Sequence, residues 1–263
     1  MFNKILLVYS EKESKNKKNI LKIKRILGEK IKKIVCVRNL QFNVFNNIDL
    51  VITLGGDGTF IRAASFIKKT PILGINSESK NSEGALTSLN EFQINKIPKL
   101  LEDPNIIKRK RIQIEKNNVK LDKLALNEIF IGSQNQFHTS RYEVKFNNKK
   151  EEQRSSGILI ATGSGSSAWY KSAGGKIFNY NSRDLHFIVR EPYKGKIFNP
   201  KILKGKIKPK QNFEIKSKMH HNGVIALDSN TIYEFRFGDK CKASISDKDL
   251  NVLTLKNENK KEI

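Results

Sequence analysis

Residues 49–62 of the sequence read DLVITLGGDGTFIR. An apolar run that predicts a buried strand stops at two glycines, an aspartate, a third glycine and a threonine, and a helical pattern then resumes. In an open parallel sheet, ligands bind at such carboxyl ends of strands. Glycines there permit positive φ and let backbone N–H groups approach phosphate oxygens, while Thr59 can cap the following helix. The stretch therefore predicts an α/β fold with an anion-binding turn.

Asp57, at the centre of this turn, is out of place beside a phosphate because both groups are anions. It fits if it accepts a proton or helps to hold a divalent cation. A plain tight turn is the alternative, since Asp and Gly dominate turns. The buried strand before it, the helix after it and a second glycine-serine loop favour a phosphate site. Neither a Walker A sequence nor GxGxxG occurs, which excludes a Walker-type enzyme and the standard dinucleotide fingerprint.

Strands and helices alternate over the first hundred residues, which predicts an α/β domain with a mostly parallel sheet. The predicted strands are 4–10, 35–40, 49–54 and 71–76, and the predicted helices are 19–34, 61–69 and 91–104. The pattern then changes to short strand-like runs separated by Asn, Lys and Gly, which fits antiparallel sheets. We expect an α/β domain over 1–104, a mainly β domain over 105–255 whose end can pack back on the first, and a disordered tail over 256–263.

The second glycine-serine loop lies within residues 155–175, SSGILIATGSGSSAWYKSAGG. Small residues let a ligand lie against the backbone, hydroxyls can bind ribose or phosphate, and Trp169 can stack on a base. A flexible turn with Trp169 as a core anchor is the alternative, and a helix is expected over 166–175. Asn127 and Glu128 interrupt the apolar strand LALNEIFIG. They suit either a strand end at the surface or the vicinal hydroxyls of a ribose.

The composition indicates a soluble globular protein. The chain has 263 residues, of which 38% are hydrophobic, enough for a packed core. No apolar run approaches the ~18 residues needed to span a bilayer, and MFNKILLVYS reads as a strand rather than a signal or transit peptide. Cys36 and Cys241 lack the spacing of a zinc site or a disulfide framework. A reducing cytoplasm is the expected compartment.

The net charge is strongly positive, with 50 Lys and Arg against 26 Asp and Glu, or +24. Such a charge suits nucleic acid, an anionic membrane surface or a polyanionic small substrate. The lysines are scattered along the whole chain, so we attribute most of the excess to compositional bias. Binding to nucleic acid or to a membrane is not expected.

Three motifs together resemble the NAD kinase family, whose members phosphorylate the 2′-hydroxyl of the adenosine ribose of NAD. GGDGT (55–59), NE (127–128) and TGSGSSAW followed by SAGG (162–175) occur in the family's order and at its spacing. The inferred two-domain architecture also looks like the family's. The resemblance extends over the chain up to the predicted tail.

Finer sequences resemble the branch that includes the mitochondrial-type NAD kinases of animals. They are GINSESKNSEG (74–84), RSSG (154–157), TGSGSSAW (162–169) and REP (190–192). The common bacterial form would carry Asp in place of Ser156, Pro in place of Gly163 and Tyr in place of Trp169. Another kinase with a GGDGT turn, acting on a lipid or a sugar, and a non-catalytic basic nucleic-acid-binding protein are the alternatives.

The resemblance implies roles for individual residues, with Asp57 removing the proton from the ribose hydroxyl. It assigns the donor phosphates to Gly55, Gly56, Gly58 and Thr59, and NAD to Asn127, Glu128, Ser167, Ala168, Trp169 and Ser172. Mg²⁺ would arrive with ATP or polyphosphate, without a dedicated protein cage, and no metal ligand is assigned. The family's usual assembly implies a homodimer or tetramer.

Four other features are given no assigned role. The adjacent His220 and His221 point to opposite faces of a strand and lack Cys or carboxylate partners nearby. Asp228 matches a position that the family often fills with Asp, and turn geometry explains it. Glu191 suits a cofactor contact or a surface position equally. The basic run 108–111 is interpreted as a solvated linker.

Overall fold

The structure is a computed structural model that describes residues 2–11, 13–211 and 213–255. The described chain forms two compact units. The chain up to Arg109, together with the segment from Lys248 onward, forms the first, and Lys110–Asp247 forms the second. The tail predicted over 256–263 lies outside the described residues.

The strands and α-helices are named in chain order. They are β1 (Ile5–Tyr9), α1 (Glu13–Leu27), β2 (Ile31–Cys36), β3 (Leu50–Leu54), α2 (Asp57–Ala64), β4 (Ile72–Asn76), β5 (Leu89–Asn90), α3 (Ile97–Glu102), β6 (Asn105–Arg109), β7 (Ile112–Lys116), β8 (Val119–Lys120), β9 (Glu128–Ser133), β10 (Ser140–Phe146), β11 (Lys149–Ser155), β12 (Gly157–Ala161), α4 (Trp169–Ser172), β13 (Leu185–Arg190), β14 (Lys204–Ile207), β15 (Phe213–Ser217), β16 (Gly223–Leu227), β17 (Thr231–Glu234), β18 (Lys240–Ile245) and β19 (Leu250–Thr254). Short 3-10 helices span Gly28–Lys30, Val37–Asn39, Phe42–Phe45, Glu91–Lys96 and Ser164–Ser167.

The first unit is built on a seven-stranded sheet in the order β2-β1-β3-β4-β19-β6, with β5 also paired to β4. Its strand pairs are parallel except for β19 with β6. The central strands β3 and β4 are buried along their whole length, as the continuous apolar runs of parallel strands require. The chain passes from β1 to β2 on one side and from β3 to β4 on the other. The carboxyl ends of β1 and β3 therefore flank the topological switch point, where ligands bind in such sheets.

The second unit contains two six-stranded antiparallel sheets, in the orders β11-β10-β15-β18-β7-β8 and β14-β13-β12-β9-β16-β17. Alternate side chains of these strands, such as Tyr142, Ile131 and Ile158, form one core cluster. On β9, Glu128 and Phe130 alternate with these core residues and so share the sheet's other face. A mostly parallel α/β sheet followed by antiparallel sheets confirms the fold class expected from the sequence.

Several predicted element boundaries are wrong, mainly around Gly28. The helix predicted over 19–34 ends at Leu27 because Gly28 adopts a left-handed conformation, with φ of 51°. The next strand therefore begins at Ile31 rather than at residue 35.

The other predicted helices also differ from the structure. The helix predicted over 61–69 is α2, which begins at Asp57 and ends at Ala64. The segment 91–104 holds a 3-10 helix followed by α3, with Pro98 in the first turn of α3, where proline is favourable. The helix predicted over 166–175 is replaced by a 3-10 turn and the single-turn helix α4. Within the described residues, no helix is long and apolar enough to span a bilayer.

Candidate functional site

The GGDGT turn joins β3 to α2. The N–H of Gly55 donates to the Ile75 carbonyl (3.0 Å), Gly56 is the N-cap residue of α2, and Asp57 is its first residue. Thr59 is buried at the third helical position, and no side chain within the described residues caps this helix, so the prediction that Thr59 caps it is wrong. The Thr59 N–H donates to the Gly56 carbonyl (3.0 Å), whereas the N–H groups of Asp57 and Gly58 precede the first acceptor of the helix and are suited to an anion.

Lack of space for a side chain, and not positive φ, accounts for Gly55 and Gly56 in the turn. A Cβ on Gly55 would lie 2.4 Å from Thr59 Oγ1, and one on Gly56 would lie 2.8 Å from Ser82 Oγ. Neither residue nor Gly58 has a left-handed φ, so the prediction of positive φ is wrong. A Cβ on Gly58 would meet no atom of the described chain within 4 Å. Gly58 therefore leaves open space at the start of α2, where a ligand can approach the backbone.

The Asp57 carboxylate is held by the backbone of the loop that follows β4. Its Oδ2 accepts a hydrogen bond from the Ala85 N–H (3.0 Å), and its Oδ1 accepts one from the Leu86 N–H (2.9 Å). Gly84, just before this pair, is left-handed with φ of 64°. The two bonds fix the orientation of the carboxylate, and each oxygen keeps a further lone pair.

Asn127 and Glu128 lie at the start of β9 with their side chains almost fully buried, at 9% and 7% exposed. Asn127 Oδ1 and Glu128 Oε2 have no hydrogen-bond partner in the part of the chain that the structure describes. Burial, and then the Asp228 carboxyl, raises the pKa of Glu128 to about 8. Glu128 is therefore neutral at pH 7 and can both donate to and accept from a hydroxyl, whereas the sequence suggested a carboxylate that only accepts.

Thr162 and Gly165, from the second glycine-serine loop, fix the backbone of Asn127. The N–H of Thr162 donates to the Asn127 carbonyl (2.9 Å), and its Oγ1 donates to the Leu126 carbonyl (2.6 Å). A Cβ on Gly165 would lie 2.1 Å from the Asn127 carbonyl oxygen, so only glycine allows this contact. The motif TGSG thus packs against the motif NE. The spacing of the two motifs along the chain could not predict this contact.

Asp228, the residue that follows strand β16, contacts the same segment. Its carboxylate accepts hydrogen bonds from the N–H groups of Leu126 (2.7 Å), Asn127 (2.8 Å) and Glu128 (3.1 Å). Its own N–H donates to the Glu128 carbonyl (2.9 Å). Asp228 does occupy a turn, with φ of 49°, but the turn alone leaves these three bonds unexplained. From the sequence, Asp228 was explained by turn geometry alone, and an acid at the end of an apolar strand did not indicate its contacts with residues 126–128.

Trp169 begins α4 and packs on the face of the sheet that carries Glu128. Its ring stacks on Phe130 with centroids 5.4 Å apart, and the Arg190 guanidinium lies over it at 5.1 Å. The Phe130 ring in turn covers Gly157, where a Cβ would lie 2.4 Å from Phe130 Cε2. Trp169 is therefore an anchor for its loop, and its half-buried ring remains a candidate surface for a base.

The remaining predicted residues border Trp169. Ser167 and Ser172 are exposed, and Ala168 is half-buried. Ser166 is buried instead, with its Oγ donating to the Gly163 carbonyl (2.8 Å), so it holds the loop together. The structure thus brings together Asn127, Glu128 and the loop 162–172 in the second unit. The GGDGT residues lie together in the first unit.

The described residues contain no cluster of three or more His, Cys, Asp or Glu that could hold a metal ion. Asp57 is a single carboxylate whose two oxygens already accept backbone hydrogen bonds. His220 stacks on the Phe237 ring with centroids 4.5 Å apart.

Comparison with known proteins identifies relatives over nearly the whole chain. The family model described as ATP-NAD kinase N-terminal domain matches residues 6–105. The chain is 30% identical to an NADH kinase of Arabidopsis thaliana, over 95% of this chain and 87% of the relative. It is also 30% identical to an NAD kinase of Ruminiclostridium cellulolyticum, over 85% of this chain and 79% of the relative.

A solved structure has the same fold. The crystal structure of an NAD kinase from Archaeoglobus fulgidus in complex with ATP superposes with a TM-score of 0.76. The match covers 96% of this chain and 94% of that protein, at 20% sequence identity. At 20% identity this likeness establishes the fold and does not assign roles to individual residues.

Proposed function

The chain belongs to the NAD kinase family, and we propose that it transfers a phosphoryl group from ATP or polyphosphate to the 2′-hydroxyl of the adenosine ribose of NAD. The protein is thus a phosphotransferase that converts NAD or NADH to NADP or NADPH. One observation carries the assignment of the acceptor site: Asn127 and Glu128 hold buried polar oxygens without partners among the described residues. An unpaired buried polar group costs roughly 1–3 kcal/mol, so hydroxyls of a bound ribose would stabilise this site.

The donor phosphates are proposed to bind at the GGDGT turn, against Gly55, Gly56, Gly58 and Thr59. The support is the start of α2, which offers backbone N–H groups and a partial positive charge to an anion. The open space beside Gly58 allows a phosphate to come close to this backbone. The position at the carboxyl end of β3, next to the switch point, agrees with where such sheets bind ligands.

The acceptor nucleotide is proposed to lie on the outer face of the second antiparallel sheet. Asn127 and Glu128 would bind the ribose hydroxyls, and Ser167, Ala168, Trp169 and Ser172 would line the remainder of the pocket. Exposed hydroxyls of the two serines suit polar parts of NAD, and the free area of the Trp169 ring suits a base.

Asp57 is proposed to act as the general base. The ribose 2′-oxygen would attack the terminal phosphorus of the donor, its proton would pass to the Asp57 carboxylate, and the bond to the leaving phosphate oxygen would break. The hydrogen bonds from Ala85 and Leu86 hold the carboxylate in one orientation, which reduces the cost of positioning it. Magnesium, when bound with the donor, would neutralise the phosphate charge during transfer.

Three finer assignments are also proposals, two of them from family resemblance and the third, the compartment, from the composition. We propose that the chain belongs with the mitochondrial-type branch, because four sequences resemble it: GINSESKNSEG (74–84), RSSG (154–157), TGSGSSAW (162–169) and REP (190–192). A homodimer or tetramer and a cytoplasmic location are likewise proposals, which size-exclusion chromatography with light scattering and cell fractionation would test.

The test of the proposed function combines each donor with each acceptor. Purified protein is incubated with magnesium, ATP or polyphosphate, and NAD or NADH, and the product is measured with a dehydrogenase specific for NADP or NADPH. We expect product from at least one donor with NAD. The absence of product from every combination would refute the proposal.

A further inference from the structure

The segment formed by Leu126, Asn127 and Glu128 is held on two sides by groups from distant parts of the chain. On one side, three successive N–H groups of the segment donate to the single carboxylate of Asp228. On the other, Thr162 donates to the carbonyls of Leu126 and Asn127. Nearly every backbone polar group of the segment therefore has a fixed partner, and the backbone has little freedom to move.

In contrast to the backbone, side-chain oxygens of the same segment lack hydrogen-bond partners. Asn127 Oδ1 and Glu128 Oε2 are buried without a hydrogen-bond partner in the described chain. Such an arrangement, with a fixed backbone and unpaired side-chain oxygens, is expected of a site that is formed before its ligand arrives. The entropy cost of ordering the binding-site residues is then part of folding and does not reduce the affinity for the ligand.

We propose that Asp228 is a positioning residue for the acceptor nucleotide, whose carboxylate fixes the Asn127–Glu128 backbone so that both side chains meet the ribose without rearrangement. This inference rests on the proposed function, because it takes the ribose of NAD as the ligand of Asn127 and Glu128. Asp228 itself is 8% exposed, and its carboxylate is bound to the backbone, so it acts through its neighbours rather than by touching the substrate.

The charges of the two carboxyl groups agree with this arrangement. Three N–H donors favour the charged form of Asp228, although burial still raises its pKa to about 6. The negative Asp228 then adds to the effect of burial on Glu128. At pH 7 the pair carries close to one negative charge, located on Asp228, and Glu128 keeps its proton for a hydrogen bond.

A purely structural explanation makes a different prediction. Asp228 and Ser229 are both left-handed, with φ of 49° and 56°, and Asp and Asn tolerate this conformation better than most residues. If Asp228 served only the turn, Asp228→Asn would be harmless, because Asn is at least as favourable there. If the carboxylate matters, Asp228→Asn is harmful, because its amide group has one acceptor oxygen and turns N–H donors toward the N–H groups of the segment.

The experiment compares wild type, Asp228→Asn and the control Ser229→Gly, which alters only the exposed neighbouring residue of the turn. KM for NAD, KM for ATP, kcat and the melting temperature are measured for each. We expect Asp228→Asn to raise KM for NAD by about 10- to 100-fold, the range for lost hydrogen bonds to a charged group. KM for ATP is expected to stay within about threefold of wild type, and Ser229→Gly is expected to match wild type.

A second variant allows the inference to be tested even if the first variant does not fold. If Asp228→Asn is not folded, Asp228→Ser, which keeps one acceptor oxygen, is measured in the same way. An unchanged KM for NAD in a folded Asp228 variant, or equal increases in KM for NAD and ATP, would overturn the inference while wild-type activity upholds the proposed function. If wild type makes no NADP, the proposed function fails first, and calorimetric titration of NAD into the same variants then tests the inference alone.

Discussion

At the scale of single residues, Asp57 combines the proposed role of general base with a structural role. Its carboxylate binds two backbone N–H groups of the loop after β4, so substitution by asparagine changes both the proposed base and the support of this loop. We expect Asp57→Asn to lower kcat by about 10² to 10⁴, the range for loss of a general base. Initial rates with saturating NAD and ATP would measure this.

Asp49 offers a matched control for the structural part of that effect. Its two carboxylate oxygens also accept hydrogen bonds from two consecutive backbone N–H groups, those of Asn3 (2.8 Å) and Lys4 (3.0 Å). We expect Asp49→Asn to lower the melting temperature without lowering kcat. Equal losses of kcat in both variants would show that Asp57 contributes only structure.

Glu128 links the site to the pH dependence of stability. Its pKa is about 8 in the folded protein, against an ordinary value of 4.5, so between these values folding retains a proton that the unfolded chain releases. The contribution of Glu128 to the free energy of unfolding is therefore largest at low pH and falls as the pH rises toward 8. The raised pKa of Asp228 also makes stability fall as the pH rises, but at lower pH, and a substitution of Glu128 leaves Asp228 in place.

We therefore expect Glu128→Gln to stabilise the protein increasingly as the pH rises. Glutamine does not ionise, so the difference in melting temperature between variant and wild type should grow from about pH 5 to about pH 8. Differential scanning fluorimetry at several pH values would measure it, with the exposed Glu102→Gln as control. A difference that does not change with pH would contradict the raised pKa.

At the scale of elements, the glycines around the start of α2 differ in whether the surrounding structure leaves room for a side chain. An alanine at position 55 would clash with Thr59, whereas one at position 58 would clash with nothing in the described chain. We expect Gly58→Ala to raise stability by about 0.4–1 kcal/mol, because alanine restricts the unfolded chain and favours helix. The same methyl group should raise KM for ATP on the order of 10-fold by displacing the phosphate.

Thermal unfolding and donor kinetics would separate these effects. Gly55→Ala provides the contrast, with loss of stability as its expected primary result. An unchanged KM for ATP in a stable Gly58→Ala protein would mean that the donor does not approach this backbone.

Elements that are specified locally could be predicted from the sequence. The GGDGT turn follows a strand with an uninterrupted apolar run, LVITL, and its position between β3 and α2 was accessible from that pattern alone. The end of α1 was not, because the apolar spacing continues past Gly28 and conceals the break. The sequence explained Asp228 only as a turn residue, because its partner Asn127 is 101 residues away along the chain and only the sheet brings them together.

At the scale of the whole molecule, the charge of +24 acts on substrates that are themselves anions. A positive surface raises the rate of encounter with nucleotide phosphates, and salt screens it over about 10 Å at 0.1 M. We expect kcat/KM for ATP to fall as the ionic strength rises from ~0.05 to ~0.5 M, while kcat stays constant. Sucrose at matched osmolarity is the control, and a kcat/KM that salt leaves unchanged would contradict steering by charge.

Because of strand β19, the two units differ in when all of their strands have been synthesised. Lys110–Asp247 is one continuous stretch, so all strands of the second unit leave the ribosome together. The first unit needs Leu250–Thr254 to fill the gap between β4 and β6, and Leu253 belongs to its core. The first unit is therefore completed only after the second has been translated. Until then the edge of β6, and the part of the β4 edge that β5 does not cover, have no strand partner.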